Sequence, residues 1–259
     1  MKRLGTLTAL VFVALPLLSA FDQPSLSSHT EPVSVEASAA SLYYVTARKA
    51  MIFRRSDSSL PVRQVAFRDQ VHLVKNGEAM SLVRTEDGAE GYIRTEDISN
   101  VWIRVSKRRN EVRIYRGMDL LATFPADFGF NTFANKERRG SLASPDDWRT
   151  PEGAFYVVRK NPRSQYHRAF VLNYPTASDA DRGYRQGLIS QRERDAIIRA
   201  EQNGQEPPMN TALGGLIEIH GHGTGGNDNW TQGCVAVKNL HMDLMWSLVD
   251  IGTPVYIES

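Results

Sequence analysis

The feature that most restricts the fold of this chain is an alternation of apolar and polar residues in short runs, each closed by a turn signal. Val101, Ile103 and Val105 alternate with Trp102 and Arg104, and Val112 and Ile114 begin a second such run. Successive side chains of a strand point to opposite faces, so these runs suit half-buried strands. Arg116-Gly117-Met118-Asp119 turns the second run into Leu120–Phe124, and Thr150-Pro151-Glu152-Gly153 precedes another at Ala154–Val158. Leu216–His220, Cys234–Val237 and Val255–Ile257 read as further strands. Two stretches leave the period of two. Ser190 and Glu193 form a capping box, which predicts a helix from Gln191 to Gln202 ended by Gly204. Asn239 can cap a last helix, Leu240–Val249, with Leu240, Leu244 and Leu248 on one face and Gly252 and Pro254 as its stop. The region from 101 to 259 is therefore mainly β with two helices. At 259 residues and 41% apolar composition, the chain can bury a sizeable core.

The N-terminal part has a different texture. Lys2 and Arg3 precede an apolar run from Leu4 to Leu18, and Ser19 and Ala20 follow. A charged start, a short apolar stretch and a small-residue end describe a secretory signal peptide over residues 1–20. Export to the periplasm or cell wall is expected, with membrane contact only through this segment if it stays uncleaved. Residues 21–42, rich in Ser, Ala, Pro and Glu, read as a flexible linker. From Tyr43 short strands resume. Val71 and Leu73 alternate up to Asn76-Gly77, which predicts a tight hairpin, and Asp87-Gly88 leads to Gly91-Tyr92-Ile93. This order, with its closing Glu90-Gly91-Tyr92-Ile93, resembles a bacterial SH3-like small β-barrel over residues 43–98. The resemblance implies a module that binds cell-wall or peptide ligands, or a spacer.

Charge excludes some partners. Lys and Arg total 31 against 29 Asp and Glu, and removing Lys2 and Arg3 with the signal segment leaves 29 of each. No basic excess marks a nucleic-acid binder. Cys234 is the single cysteine, so no intramolecular disulfide can form. An exported protein with one thiol calls for a reason to carry it. Thr231-Gln232-Gly233-Cys234 reads as a tight turn entering a strand, whose N–H groups can gather on one oxyanion. Ile217 and Ile219 alternate with Glu218 and His220, which sets His220 opposite the isoleucines at a strand end. A glycine-rich loop joins His220 to Cys234, so it can bring an imidazole beside a thiol, the pairing that generates a nucleophilic thiolate. His220, His222 and Cys234 also offer a three-ligand zinc alternative, but no fourth group stands out, and no metal is expected.

Ile217-Glu218-Ile219-His220-Gly221 followed by Gly233-Cys234-Val235 resembles the His-Gly and Gly-Cys motif of L,D-transpeptidase catalytic (YkuD-type) domains. The resemblance runs from about Val101 to Ile257, including Thr150-Pro151-Glu152-Gly153 and Gly252-Thr253-Pro254-Val255. It implies a β-sandwich with a cradle over the cysteine. It also implies an acyl-enzyme formed on a peptidoglycan tetrapeptide stem and passed to an amine, giving a stem cross-link or a wall-attached protein. Carried over, Cys234 is the nucleophile, His220 the base, and Gly233 and Cys234 N–H the oxyanion donors. Gly221, His222, Trp230, Thr231, Gln232 and Tyr174 become candidate substrate contacts. No cofactor is implied. Two positions depart from the family pattern: Gln232 stands where a histidine is usual, and Ala236 where an arginine is common. Lys238 shares a strand face with Cys234 and is the candidate replacement cation. Residues Asn173 to Ala212, with Arg182, Tyr184 and Arg185, form an insertion that reads as a lid over the substrate. Two alternatives remain: a cysteine carboxypeptidase or amidase with water as acceptor, and a wall-binding protein acting through the SH3-like module.

Overall fold

The computed structural model describes residues 41–57 and 59–259. The signal segment and residues 21–40 of the linker lie outside the described residues. Seven strands occupy the first part: β1 (Leu42–Val45), β2 (Lys49–Phe53), β3 (Pro61–Ala66), β4 (Gln70–Lys75), β5 (Met80–Thr85), β6 (Glu90–Arg94) and β7 (Ile98–Ser99). They form an antiparallel sheet in the order β3-β2-β6-β5-β4-β1-β7. Alternate residues Val45, Ala50, Ile52, Val65, Val71, Val83 and Ile93 turn inward to a small core of their own. The hairpin at Asn76-Gly77 is not a tight two-residue turn. Four residues join β4 to β5, and neither Asn76 nor Gly77 has positive φ. Instead Gly77 donates its N–H to Ser81 Oγ and accepts Thr95 Oγ1 at its carbonyl, so tertiary bonds hold the connection.

The second part contains β8 (Val101–Ser106), β9 (Glu111–Arg116), β10 (Asp119–Pro125), β11 (Gly153–Ser164), β12 (His167–Leu172), β13 (Glu218–His220), β14 (Val235–Ala236) and β15 (Pro254–Glu258). Their order is β10-β9-β8-β15-β11-β12-β13-β14. All pairings are antiparallel except β8 with β15 and β13 with β14. One face carries the main core, including Ile103, Val105, Ile114, Phe128, Phe170, Ile217, Ile219 and Val235. Tyr44 ties the two parts together: its hydroxyl donates to the Val101 carbonyl at 2.5 Å.

Among the described residues three α-helices accompany these strands, one more than the sequence pattern suggests. α1 (Ala177–Arg185) is capped by Thr176 and Asp179. α2 (Gln191–Gln202) begins at the Ser190–Glu193 capping box and ends before Gly204, as expected. α3 (Asn239–Trp246) is shorter than expected and rotated. Leu240 and Leu244 face outward at 69% and 52% exposure, while Met242, Met245 and Val249 are buried. Asn239 does not cap it with its side chain, which accepts the His222 N–H at 2.8 Å instead. Among the described residues no helix is long and apolar enough to cross a membrane.

Candidate active site

The parallel pair β13–β14 sets up the site. Ile219 faces Val235 and His220 faces Ala236 across the ladder. Strand alternation sends Ile217, Ile219 and Val235 into the core and turns Glu218, His220 and Cys234 to the other face. There a cleft of about 800 Å³ opens. Its walls include Cys234, His220, Glu218, Tyr166, Trp230 and Lys136.

His220 is 1% exposed. Its Nδ1 lies 2.7 Å from the Gly221 carbonyl oxygen. A carbonyl can only accept, so Nδ1 carries the hydrogen and Nε2 keeps its lone pair. Burial holds the imidazole down at about 4, so the ring is neutral at pH 7. Tyr166 stacks on the ring at 4.3 Å, and Trp230 meets it edge-on at 5.9 Å.

Cys234 is partly buried, and its Sγ donates to the Leu216 carbonyl at 3.4 Å. Burial pushes the thiol up to about 12, and the neighbouring Glu218 carboxylate adds to this while Lys136 opposes it. The turn before it is pinned by Thr231. Its hydroxyl donates to the Cys234 carbonyl at 2.7 Å and accepts the Gly233 N–H at 3.2 Å. Gly233 sits at φ +129°, and a Cβ there would come within 2.6 Å of the Arg149 carbonyl oxygen. Only glycine fits this turn.

The structure relocates several sequence-derived assignments. Trp230 and Gln232 line the cleft. Thr231 also reaches it, but its hydroxyl is spent on the turn and it is buried. The Gly233 N–H is spent on Thr231, so it is not a free oxyanion donor. Gly221 supplies the carbonyl that holds His220 and lies outside the cleft wall. His222 is exposed and off the cleft, its ring centroid 6.1 Å from that of Tyr166. Tyr174 is fully buried in the core with its hydroxyl on the Leu213 carbonyl, because its side chain follows the inward face after β12. Lys238 is exposed at the start of α3, its stem against Gly225 and outside the cleft. Residues 173–212 contribute nothing to the cleft wall. They brace a loop instead: Arg182 donates to the Lys136 and Glu137 carbonyls, and Arg139 bonds the Thr211 and Met209 carbonyls.

Four residues of the site went unread. Lys136 comes from the polar loop after β10 and is 3% exposed. It is one of several basic residues there, with nothing in the sequence to single it out. Tyr166 sits at the β11–β12 hairpin tip, half-buried against His220, and nothing in its local sequence singles it out. Glu218 shares the His220 face by alternation alone, and burial raises its carboxyl. Asp127 is fully buried and accepts from the Thr224 and Asp228 N–H groups and from the Trp230 indole, which shapes the loop between His220 and Cys234. Among the described residues no cluster of three or more His, Cys, Asp or Glu is arranged to hold a metal ion.

Comparison with known proteins bears on the whole arrangement. No curated protein sequence matches the chain. Among solved structures it is similar to Bdellovibrio bacteriovorus Bd1075, with 21% identity, 62% of this chain and 48% of that one covered, and a TM-score of 0.39. An L,D-transpeptidase from Xylanimonas cellulosilytica shows 16% identity over 62% and 61% of the two chains, with a TM-score of 0.37. An L,D-transpeptidase from Mycobacterium smegmatis shows 12% identity over 89% and 88%, with a TM-score of 0.38. The chain thus spans about half the length of the first of these and about three fifths of the second. The family model of the YkuD L,D-transpeptidase catalytic domain matches residues 100–257, the region that holds β8 to β15 and both walls of the cleft. With more than half of its length matched, the chain belongs to the YkuD family of L,D-transpeptidase catalytic domains.

Proposed function

We propose that this protein is a peptidoglycan L,D-transpeptidase that uses Cys234 as its nucleophile and His220 as its base. The observation that carries the proposal is the orientation of His220: with Nδ1–H held by the Gly221 carbonyl, the ring offers a neutral Nε2 in the same cleft as the thiol. Sγ attacks the carbonyl of a stem peptide as its proton passes to Nε2, and an S–C bond forms. The tetrahedral intermediate collapses, the scissile C–N bond breaks, and His220 returns the proton to the departing amine. An acceptor amine then attacks the thioester, gives its proton to His220, and the thiol is restored. The acceptor is the amine of a second stem or of a wall-attached protein. The reaction takes place in the periplasm or cell wall, and the N-terminal sheet serves as an SH3-like module that holds the wall.

The test is mass spectrometry of purified disaccharide-tetrapeptide incubated with the protein and with Cys234→Ala. A cross-linked dimer made only by the thiol form is the expected result. Shortened stems without dimer would move the assignment to a hydrolase. Unchanged substrate with no acyl adduct on Cys234 would overturn it.

A further inference from the structure

The cleft contains a buried lysine that makes no direct ion pair among the described residues. Lys136 is 3% exposed, and its Nζ donates to the Asp147 carbonyl at 3.2 Å. It takes part in no ion pair among the described residues, whereas the equally buried Lys107 has Glu152 at 2.6 Å. An ammonium has three donors, and leaving it desolvated and unpaired is costly. Here the position is also enforced. Its stem runs past Gly214, where a Cβ would approach Cε to 3.1 Å. Arg182 holds the Lys136 carbonyl, and Arg139 anchors the loop three residues further on. The loop therefore holds this ammonium rigidly against the cleft beside Cys234. Lys136 and Arg139 share the cleft wall with Glu218, whose carboxylate also acts on the thiol, so the wall carries one net positive charge and a single carboxylate is the anion that fits.

Resting on the transpeptidase reading above, we infer that Lys136 is the carboxylate-binding residue of this cleft and selects acyl donors with a free carboxylate next to the thiol. It fills the role that the sequence suggests for Lys238. Two carboxylates of a stem have the required chemistry: that of the departing terminal residue, and a side-chain carboxylate on the residue whose carbonyl is attacked.

The first measurement needs no turnover. Iodoacetate and iodoacetamide are near-isosteric, and Cys234 Sγ displaces iodide from either. Their alkylation rates at pH 7 are compared for the full chain, for Lys136→Met and Lys136→Arg, and for a free thiol peptide. The ratio of acid to amide rate is expected to be about 10-fold higher in the protein than in the peptide, to fall to the peptide value in Lys136→Met, and to persist in Lys136→Arg. The melting temperature of each variant checks that the fold is retained, and dividing by the amide rate removes the change in thiol reactivity that follows loss of the Lys136 charge. Equal ratios in the protein and Lys136→Met would overturn the inference, whether or not transpeptidation is ever seen. The second measurement compares stems amidated at one carboxylate or the other. Amidation of the carboxylate that Lys136 holds should raise KM about 10-fold, and Lys136→Met should erase that difference. The sensitive arm identifies the carboxylate; insensitivity of both arms in an active enzyme would overturn the inference.

Discussion

The imidazole of His220 lies against the phenol ring of Tyr166, with centroids 4.3 Å apart and an interplanar angle of 20°. The Gly221 carbonyl fixes one edge of the imidazole, and Tyr166 fixes its plane. Tyr166→Ala should therefore let the ring tilt, lowering kcat about 10-fold with a smaller change in KM. Tyr166→Phe keeps the stacked face and should stay near the parent rate. Steady-state kinetics on a tetrapeptide stem checks both, and an unaffected kcat in the alanine variant would show that the stack does not position His220.

Burial of the same imidazole predicts acid sensitivity. Its unfolded form takes up a proton below about 6.5, while the folded ring resists until about 4. Between those values the unfolded chain binds more protons, so stability falls as pH falls through this window. The groups around the ring, Tyr166, Trp230, the Gly221 carbonyl and His222, include no carboxylate to rescue the charge. The loss over the window is about 3 kcal/mol. Urea unfolding at pH 7 and pH 4 should show it in the parent and lack that share of it in His220→Gln.

How far the sequence reveals this site depends on how local each signal is. Alternation of Ile217 and Ile219 with Glu218 and His220 is a property of four consecutive residues, and it places His220 correctly on the open face. The Ser190–Glu193 box is equally local, and α2 begins where it predicts. Lys136 lies 98 positions before Cys234, and long-range bracing of its loop, including that by Arg139 and Arg182, brings it to the thiol. Lys238 is closer in sequence, yet the chain turns into α3 there and carries its side chain away. The leucine stripe of α3 misleads because two stripes compete, and Met242, Met245 and Val249 take the buried one.

Asp127 should be the main structural support of the loop between His220 and Cys234. Its carboxylate receives the Thr224 N–H at 2.6 Å, the Thr224 hydroxyl at 3.1 Å, and the Asp228 N–H and Trp230 indole at 3.3 Å each. Asp127→Ala removes the one buried acceptor that these donors of the more exposed loop share, which costs about 1–3 kcal/mol. Urea denaturation should show that loss. Hydrogen exchange should show lost protection at Thr224 and Asp228 while the β8–β9 ladder keeps its own. Unchanged exchange at the two amides would mean that the loop is held by other contacts.

The thiol itself should be unreactive at rest. Burial pushes Cys234 up to about 12 and holds His220 down at about 4, so a thiolate–imidazolium pair is not populated in the empty cleft. Because Cys234 is the chain's single cysteine, intact-mass measurement of iodoacetamide alkylation reports on it alone. The rate should climb about 10-fold per pH unit from pH 7 to pH 10, without the plateau near neutrality that a preformed ion pair gives. An inflection between pH 5 and pH 8 would contradict this and place the ion pair in the resting enzyme. The expected profile has a mechanistic consequence. In the proposed mechanism, proton transfer to Nε2 then accompanies attack on the substrate carbonyl, as negative charge moves from sulfur onto the carbonyl oxygen. In the proposed mechanism a bound substrate is thus part of what activates Cys234, which keeps the thiol out of reach of oxidants between turnovers.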